Sequence, residues 1–587
     1  MKKFSAVIYV LLIALVIGCA SASNSVTSNS GTSNPVTQAP QLQTWPGDPV
    51  DLYSRSAEGP NGVVAAAKPE ASQIGVDILK KGGNAVDAAV ATGFALGVLE
   101  PNATGLGGGG FMIIKLVDMK EAVVVDFREM APSAAKPDMF LGPDGKVVPN
   151  SSVEGGLAVG VPGETAGLLY ALDHYGSKKL SRAQVMQPAI DAATNGYRVT
   201  ENLAPIIMDN LEKINHYPAT AAIYTKDGLP PEIGDTIKNP DLAKTLTAIA
   251  AGGADVFYKG PLAQQVAKAV QDAGGILTVQ DLANYQVHER KPVTGTYRGY
   301  TITSVPPASS GGTHVIQILN ILENVDMSSM APGSVPAVHD WLQALRLAFA
   351  DRAKYMADSD IVSVPLEGLT SKAYAKELFT KFDASKAMPN ATPGDPARYQ
   401  SGSTTSFSVM DKAGNMVTVT KSINYFFGSG VTVPGAGFIM NDHMDDFVLT
   451  PGNIQSVVPG ARPLSSMSPT LVLDPQGRPF MTLGSPGATR IIAAVAEVIS
   501  NVIDQKMSIQ DAIMQPRCFA TASGDVHIEG RMPASTLEGL RAMGYSVSVH
   551  PDWDAFFGGV HGVLYDWDAK TLYGGADPRR DGHAKAF

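Results

Sequence analysis

The 587-residue chain is 44% apolar and 17% charged, a balance that supports large hydrophobic cores and excludes a disordered or charge-tailed protein. Its 45 Lys and Arg against 55 Asp and Glu give a formal net charge of −10, and no basic block offers a phosphate-backbone footprint, so nucleic acid is excluded as a partner. The 59 Gly and 40 Pro point to a loop-rich fold, while two cysteines, Cys19 and Cys518, supply neither a disulfide framework nor a cysteine-rich metal site.

Lys2 and Lys3 precede an apolar run from Phe4 to Ile17, too short to span a bilayer as a mature helix and of the length of a signal h-region. Export to the periplasm or cell envelope is expected. Val16-Ile17-Gly18-Cys19 resembles a lipobox, in which cleavage before the cysteine leaves Cys19 to carry acyl chains; a cut within Ala20-Ser21-Ala22 is the alternative. Residues 20–47 contain no charge and are dominated by Ser, Asn, Thr, Gln and Pro, a tether that cannot bury a core. The expected order is a signal peptide at 1–18, a tether at 19–47 and a soluble body from 48 onward.

Val63 to Ala67 reads as a short strand, Glu70 to Lys81 as a helix, and Ala85 to Leu99 as a small-residue helix after the Gly82-Gly83 break. The run Gly105–Gly110 contains a formal G-x-G-x-x-G. A dinucleotide site needs a strand before it and a helix after, whereas here a helix precedes and the strand-like runs Phe111–Val117 and Ala122–Phe127 follow. A loop of close backbone approach is expected instead, and no cofactor. Residues 160–290 read as mainly helical and 293–306 as strands. His288-Glu289 lacks the second histidine of H-E-x-x-H, so no metal is expected either.

Residues 388–403 form a Pro-, Asn-, Gly- and Ser-rich loop by composition. Thr405–Met410 and Met416–Lys421 then flank Asp411-Lys412-Ala413-Gly414-Asn415 as the two arms of a hairpin. Symmetry about Ala413 sets Phe407 opposite Val419 and Val409 opposite Val417 on one face. The other face pairs Ser406 with Thr420 and Ser408 with Thr418. One step further the same register sets Thr404 opposite Ser422. A loop thus delivers a threonine to a hairpin end beside a second hydroxyl, although Ser and Thr also favour strand edges for no chemical reason.

The run Ser403-Thr404-Thr405-Ser406-Phe407-Ser408, followed by Asp411 to Asn415, resembles the processing site of the γ-glutamyltransferases. Further motifs agree in order: Gly105–Gly110, Asp126-Phe127-Arg128-Glu129-Met130-Ala131-Pro132 and Tyr297-Arg298-Gly299-Tyr300. Downstream follow Asn441-Asp442-His443-Met444-Asp445-Asp446-Phe447, Pro463-Leu464-Ser465-Ser466-Met467-Ser468-Pro469 and Gly484-Ser485-Pro486-Gly487. The resemblance implies an N-terminal-nucleophile hydrolase fold, α/β in class: an αββα sandwich with two central antiparallel sheets between helical layers. It also implies a precursor that cuts itself between Ser403 and Thr404, giving a large subunit at 48–403 and a small catalytic one at 404–587.

A threonine hydroxyl near neutral pH needs an adjacent base, and no G-x-S-x-G elbow is present. Cleavage before Thr404 would free an α-amine with an ordinary pKa of about 7.7–8.0, so one residue would supply nucleophile and base. By the resemblance, Ser422 would hydrogen-bond that hydroxyl. Gly487 and Ala488, in the places of the family's two glycines, would donate N–H groups to the oxyanion. Arg128, Ser465 and Ser466 would hold a substrate α-carboxylate, Asn424 would bridge the amino-acid head, and Asp446 would pair with its α-ammonium. His443 stands where many relatives carry Gln or Glu; it either accepts from the ammonium as a neutral imidazole or turns away from the pocket. The 15 residues between Asp446 and Arg462 hold no Tyr or Trp, similar to the shorter, more open members of the family. The implied activity is cleavage of the γ-glutamyl amide of glutathione-like compounds, with the acyl group passing to water, an amino acid or a peptide. A glutaryl or cephalosporin-type acylase is the near alternative, disfavoured by Asp446; a solute-binding lipoprotein without chemistry is the distant one.

Overall fold

A computed structural model describes residues 52–392 and 403–587; the signal segment, the tether and Cys19 lie outside the described residues. The alternation of hydroxyl and apolar side chains after residue 403 has the period of two that suits a strand covered on both faces. It forms the strand Ser403–Asp411, joined to Met416–Asn424 by a turn in which Asp411 Oδ1 accepts from the N–H groups of Ala413 and Asn415. Phe407 faces Val419, Val409 faces Val417, Ser406 faces Thr420 and Ser408 faces Thr418, as symmetry about Ala413 requires.

The pairing of Thr404 with Ser422 needs correction. Ser403 pairs with Asn424, one residue beyond the regular register, so Thr404 faces both Ser422 and Ile423 across a β-bulge. Counting residues from the turn assumes an unbroken ladder and cannot reveal an inserted one. Asn424 absorbs the insertion with φ 76°, a left-handed conformation that Asn tolerates better than most side chains.

The hairpin lies inside a seven-stranded antiparallel sheet. Its order is His583–Ala586, Gly62–Ala66, Ser403–Asp411, Met416–Asn424, Gly109–Lys115, Val123–Phe127 and His288–Arg290. A second seven-stranded antiparallel sheet runs Ala57–Gly59, Thr571–Ala576, His561–Asp566, Pro479–Gly484, Thr470–Leu473, Tyr300–Ser304 and Val293–Tyr297. Both draw strands from either side of Thr404, so the two prospective subunits interleave in one body. Phe111, Ile113, Met410, Leu471 and Val563 fill the space between the sheets. The helices Pro69–Lys80, Ala85–Leu99, Glu164–Tyr175 and Arg182–Asn195 cover the outer face of the first sheet. Gly311–Leu322, Val335–Tyr355 and Arg490–Ile503 cover that of the second, completing the αββα order. Among the described residues no helix is long and apolar enough to cross a membrane.

The glycine run meets the hairpin and the segment at Ile439 at backbone distance. A Cβ on Gly107 would lie 2.1 Å from the Ile439 carbonyl oxygen, and one on Gly110 would lie 2.3 Å from that of Thr420. Those positions serve contact between main chains, the role expected for the run.

His561 opens the strand His561–Asp566 with its imidazole fully buried and neither ring nitrogen hydrogen-bonded among the described residues. Burial pushes its pKa down to about 4, against an opposing Asp577. The folded state therefore binds fewer protons here than the unfolded chain, whose histidine titrates near 6.5. The associated stability is complete above about pH 6.5 and is lost as pH falls toward 4, a loss of roughly 3 kcal/mol at this group. Urea unfolding across that range should show a shallower decline in His561→Gln than in the wild type; parallel profiles would remove His561 from the acid limb.

Candidate active site

The end of the hairpin, the turn around His443–Asp446, the segment 464–467 and the turn at 488–489 enclose a small cleft. Seven residues singled out in the sequence line it: Thr404, Asn424, His443, Asp446, Ser465, Ser466 and Ala488. Arg128, Ser422 and Gly487 are buried behind that lining. Thr404 itself is only 5% exposed, at the point where the bulge releases it from regular pairing.

Arg128 follows the strand Val123–Phe127 and is fixed from both sides of its backbone. Its N–H donates to Asp126 Oδ1 at 2.9 Å, and its carbonyl accepts from the Tyr285 hydroxyl at 3.0 Å. The guanidinium is wholly buried: Nε donates to the Pro463 carbonyl at 3.3 Å, Nη1 lies 3.1 Å from Glu129 Oε2, and Nη2 pairs with Asp446 Oδ2. Asp446 is 30% exposed at its side chain and lines the cleft, so the carboxylate stands between the guanidinium and solvent. The two groups expected to hold opposite ends of an amino-acid head are thus paired with each other.

His443 lines the cleft with its side chain almost wholly buried. Its Nδ1 lies 2.8 Å from Glu129 Oε1 at an angle that makes no hydrogen bond, and its backbone N–H donates to Asn441 Oδ1 at 3.1 Å. Glu129 therefore stands between Arg128 and His443, fully buried. Asn424 donates its backbone N–H to Ser422 Oγ at 2.7 Å and its side-chain amide to the Asp442 carbonyl at 3.2 Å. The Asp442 carboxyl is pushed well above the ordinary carboxylate range by burial, and its Oδ1 accepts from the Tyr425 N–H at 3.1 Å.

At the opposite wall Gly487 has φ 125° and Ala488 φ 51°. The following helix, Arg490–Ile503, starts with the Arg490 and Ile491 N–H groups donating to the Gly487 and Ala488 carbonyls, both at 3.1 Å. That helix entry holds the alanine in the left-handed region despite a cost of about 1–2 kcal/mol.

Sequence reasoning missed Arg352. It lines the cleft near the end of the helix Val335–Tyr355, donating through Nη2 to Ser466 Oγ at 2.9 Å and through Nε to Ser310 Oγ at 2.8 Å. The signal was available: Arg352 falls four and seven residues after the buried Ala348 and Leu345, on the core-facing side of the helix. Residues 447–461 contribute nothing to the cleft lining; Phe447, Val457 and Ala461 instead pack on Ala131 and Phe140.

A threonine at the head of a central strand in an αββα sandwich, in one cleft with the turn at 488–489, fits the class of N-terminal-nucleophile hydrolases. Within that class the chain belongs to the γ-glutamyltranspeptidase family, whose model matches residues 71–587. It is 42% identical over 532 residues to the glutathione hydrolase proenzyme of Escherichia coli (strain K12), covering 88% of this chain and 90% of that one. It is 39% identical over 551 residues to the glutathione hydrolase proenzyme of Bacillus subtilis (strain 168), covering 91% and 93%. The crystal structure of cephalosporin acylase from Bacillus halodurans is similar with a TM-score of 0.83 and 29% identity, covering 93% of this chain and 99% of that one.

Ala488→Gly should remove the left-handed strain while keeping the backbone N–H. Offset by glycine's greater unfolded-state entropy, the expected gain is about 0.5–1 kcal/mol, read as a higher thermal midpoint with the cleft chemistry retained. A lowered midpoint would mean that the alanine methyl group contributes more packing than its backbone costs.

Proposed function

We propose that the protein is a γ-glutamyl transferase and hydrolase acting on glutathione and related γ-glutamyl compounds, with Thr404 as nucleophile after self-cleavage at Ser403–Thr404. In the precursor the Thr404 hydroxyl attacks the Ser403 carbonyl carbon, the peptide bond shifts to an ester, and water hydrolyses that ester. This leaves residues 48–403 and 404–587 as the two subunits and frees the Thr404 α-amine. In turnover that amine takes the hydroxyl proton as Oγ1 attacks the γ-amide carbon, and the leaving amine departs with a proton. The N–H groups of Gly487 and Ala488 stabilise the oxyanion, and Ser422 supports the hydroxyl. The γ-glutamyl-enzyme then yields its acyl group to water or to the amine of an amino acid or peptide. Export by the leader, and anchoring through Cys19, complete this reading from sequence alone.

The Arg128–Asp446 pair carries the substrate assignment. A zwitterionic head can replace both partners together, its carboxylate taking Arg128 and its ammonium taking Asp446. Asn424, His443, Ser465 and Ser466 surround that exchange, with Arg352 holding Ser466. A glutaryl group offers a carboxylate but no ammonium. It would separate Asp446 from Arg128 and leave a carboxylate without a partner, at a cost of several kcal/mol unless a proton is taken up. Likeness to a cephalosporin acylase, together with a cleft lining to which residues 447–461 contribute nothing, favours acylase action as the second reading.

Two measurements separate these statements. Mass spectrometry of purified protein should find a C-terminal fragment beginning at Thr404, with Thr404→Ala remaining a single chain; normal maturation of that variant would displace Thr404 as nucleophile. Anilide hydrolysis should favour γ-glutamyl over glutaryl by orders of magnitude in kcat/KM, and Asp446→Asn should narrow the gap chiefly by losing the γ-glutamyl rate. Equal rates on both anilides in the wild type would give the acylase reading precedence.

A further inference from the structure

A second, small cavity opens between the helix Arg490–Ile503, the helix Val335–Tyr355 and the residues 515–518. Among the described residues it shares no lining residue with the catalytic cleft. Its apolar wall is Trp341 with Met327, Met330 and Met532, a flexible, polarisable surface that adapts to hydrocarbon. Two buried acceptors interrupt that wall. Glu497, 7% exposed, accepts from the Cys518 N–H and Sγ through Oε1, both at 3.3 Å, while its Oε2 has no hydrogen-bond partner among the described residues. Gln515, 8% exposed, donates through Nε2 to the Asp511 carbonyl at 3.3 Å, and its Oε1 is likewise without a partner.

Each buried acceptor left unpaired costs about 1–3 kcal/mol. Arg517, which also lines the cavity and whose charge favours the ionised Glu497, makes no hydrogen bond to either acceptor among the described residues. Arg517 commits Nη2 to Asp577 at 2.6 Å and to the Ile513 carbonyl at 3.0 Å, and Nη1 to the Phe557 carbonyl at 2.8 Å. What completes the cavity is a group with several N–H donors, a positive charge to match a carboxylate, and a short apolar body.

We propose that this cavity is a binding site for a small primary amine with an apolar chain, its ammonium donating to Glu497 Oε2 and Gln515 Oε1 and its hydrocarbon lying against Trp341 and the methionines. The site is independent of the γ-glutamyl chemistry. Burial raises the Glu497 pKa to about 7. The carboxylate form, which the ammonium needs, therefore grows about tenfold between pH 6 and pH 8, while an alkylamine stays protonated throughout.

Trp341 supplies the readout, because no tryptophan lines the catalytic cleft among the described residues. Titration of the wild-type protein with n-butylammonium chloride at constant ionic strength should give a saturable change in tryptophan fluorescence. The apparent affinity should rise about tenfold from pH 6 to pH 8. n-Butanol should bind at least tenfold more weakly and butyrate not at all. Glu497→Gln should weaken butylammonium at least tenfold, and Gln515→Leu, which introduces no change at the carboxylate, should weaken it less. Trp341→Phe should abolish the optical signal while calorimetry still records binding. The proposal is overturned by the absence of a saturable response up to tens of millimolar. Equal affinities for butylammonium and butanol, or unchanged affinity in both polar variants, overturn it as well.

Discussion

One residue more on the strand Met416–Asn424 than on its partner breaks the backbone ladder beside Thr404, and the rest of the cleft is laid out from that break. The bulge turns Asn424 into the left-handed region, where its amide reaches the Asp442 carbonyl and its N–H reaches Ser422 Oγ. Asp442 in turn holds the Tyr425 N–H and opens the short turn His443–Asp446. That turn delivers Asp446 to Arg128, whose Nε fixes the Pro463 carbonyl and with it the approach to Ser465 and Ser466. Each link is a directional polar contact among buried groups, so a displacement at the bulge is transmitted rather than absorbed.

The sheets make such a layout possible by limiting what else can move. Gly110 lets its strand close on the hairpin, and Gly107 lets the segment at Ile439 close on the glycine run, at distances that any side chain would prevent. From the other side Lys421, adjacent in sequence to Ser422, is tied by Nζ to Glu164 Oε1 at 2.7 Å and to Thr104 Oγ1 at 2.8 Å, all without solvent exposure. A buried ion pair of this kind adds little net stability beyond what apolar packing would give, yet removing one partner strands the other. Its consequence here is positional: the strand carrying Ser422 cannot slide without breaking it.

Much of this was legible in the sequence where a single periodicity governed. The alternation after Ser403 set six cross-strand pairs from Thr405 to Met410, and the small-residue run after Gly83 gave the helix Ala85–Leu99. Ordered motifs placed seven of the cleft's lining residues. The bulge escaped because a local insertion leaves the side-chain alternation of each strand intact. Arg128 and Asp446 are 318 residues apart, and Lys421 and Glu164 are 257 apart; the motifs named the first pair as parts of one site, but no local pattern says that they bind each other. Arg352 lay on the legible face of its helix, yet its meaning comes from Ser466, supplied by a distant loop.

On the proposed function, the same pairing would let a buried arginine serve as a receptor for a carboxylate. A guanidinium taken from water without a counter-charge would be costly, and Asp446 and Glu129 meet that cost by flanking it. On the proposed function an incoming zwitterion would exchange one salt bridge for two, leaving no charge in the cleft alone at the end of binding. Because Glu129 also approaches His443, the arginine keeps one anionic neighbour while the other is exchanged. A ligand bearing only a carboxylate competes with Asp446 for Arg128 without compensating it. On that proposal selectivity would arise less from the strength of either new contact than from what each ligand leaves unpaired, with the aspartate acting both as the gate over the arginine and as the test that the ligand must pass.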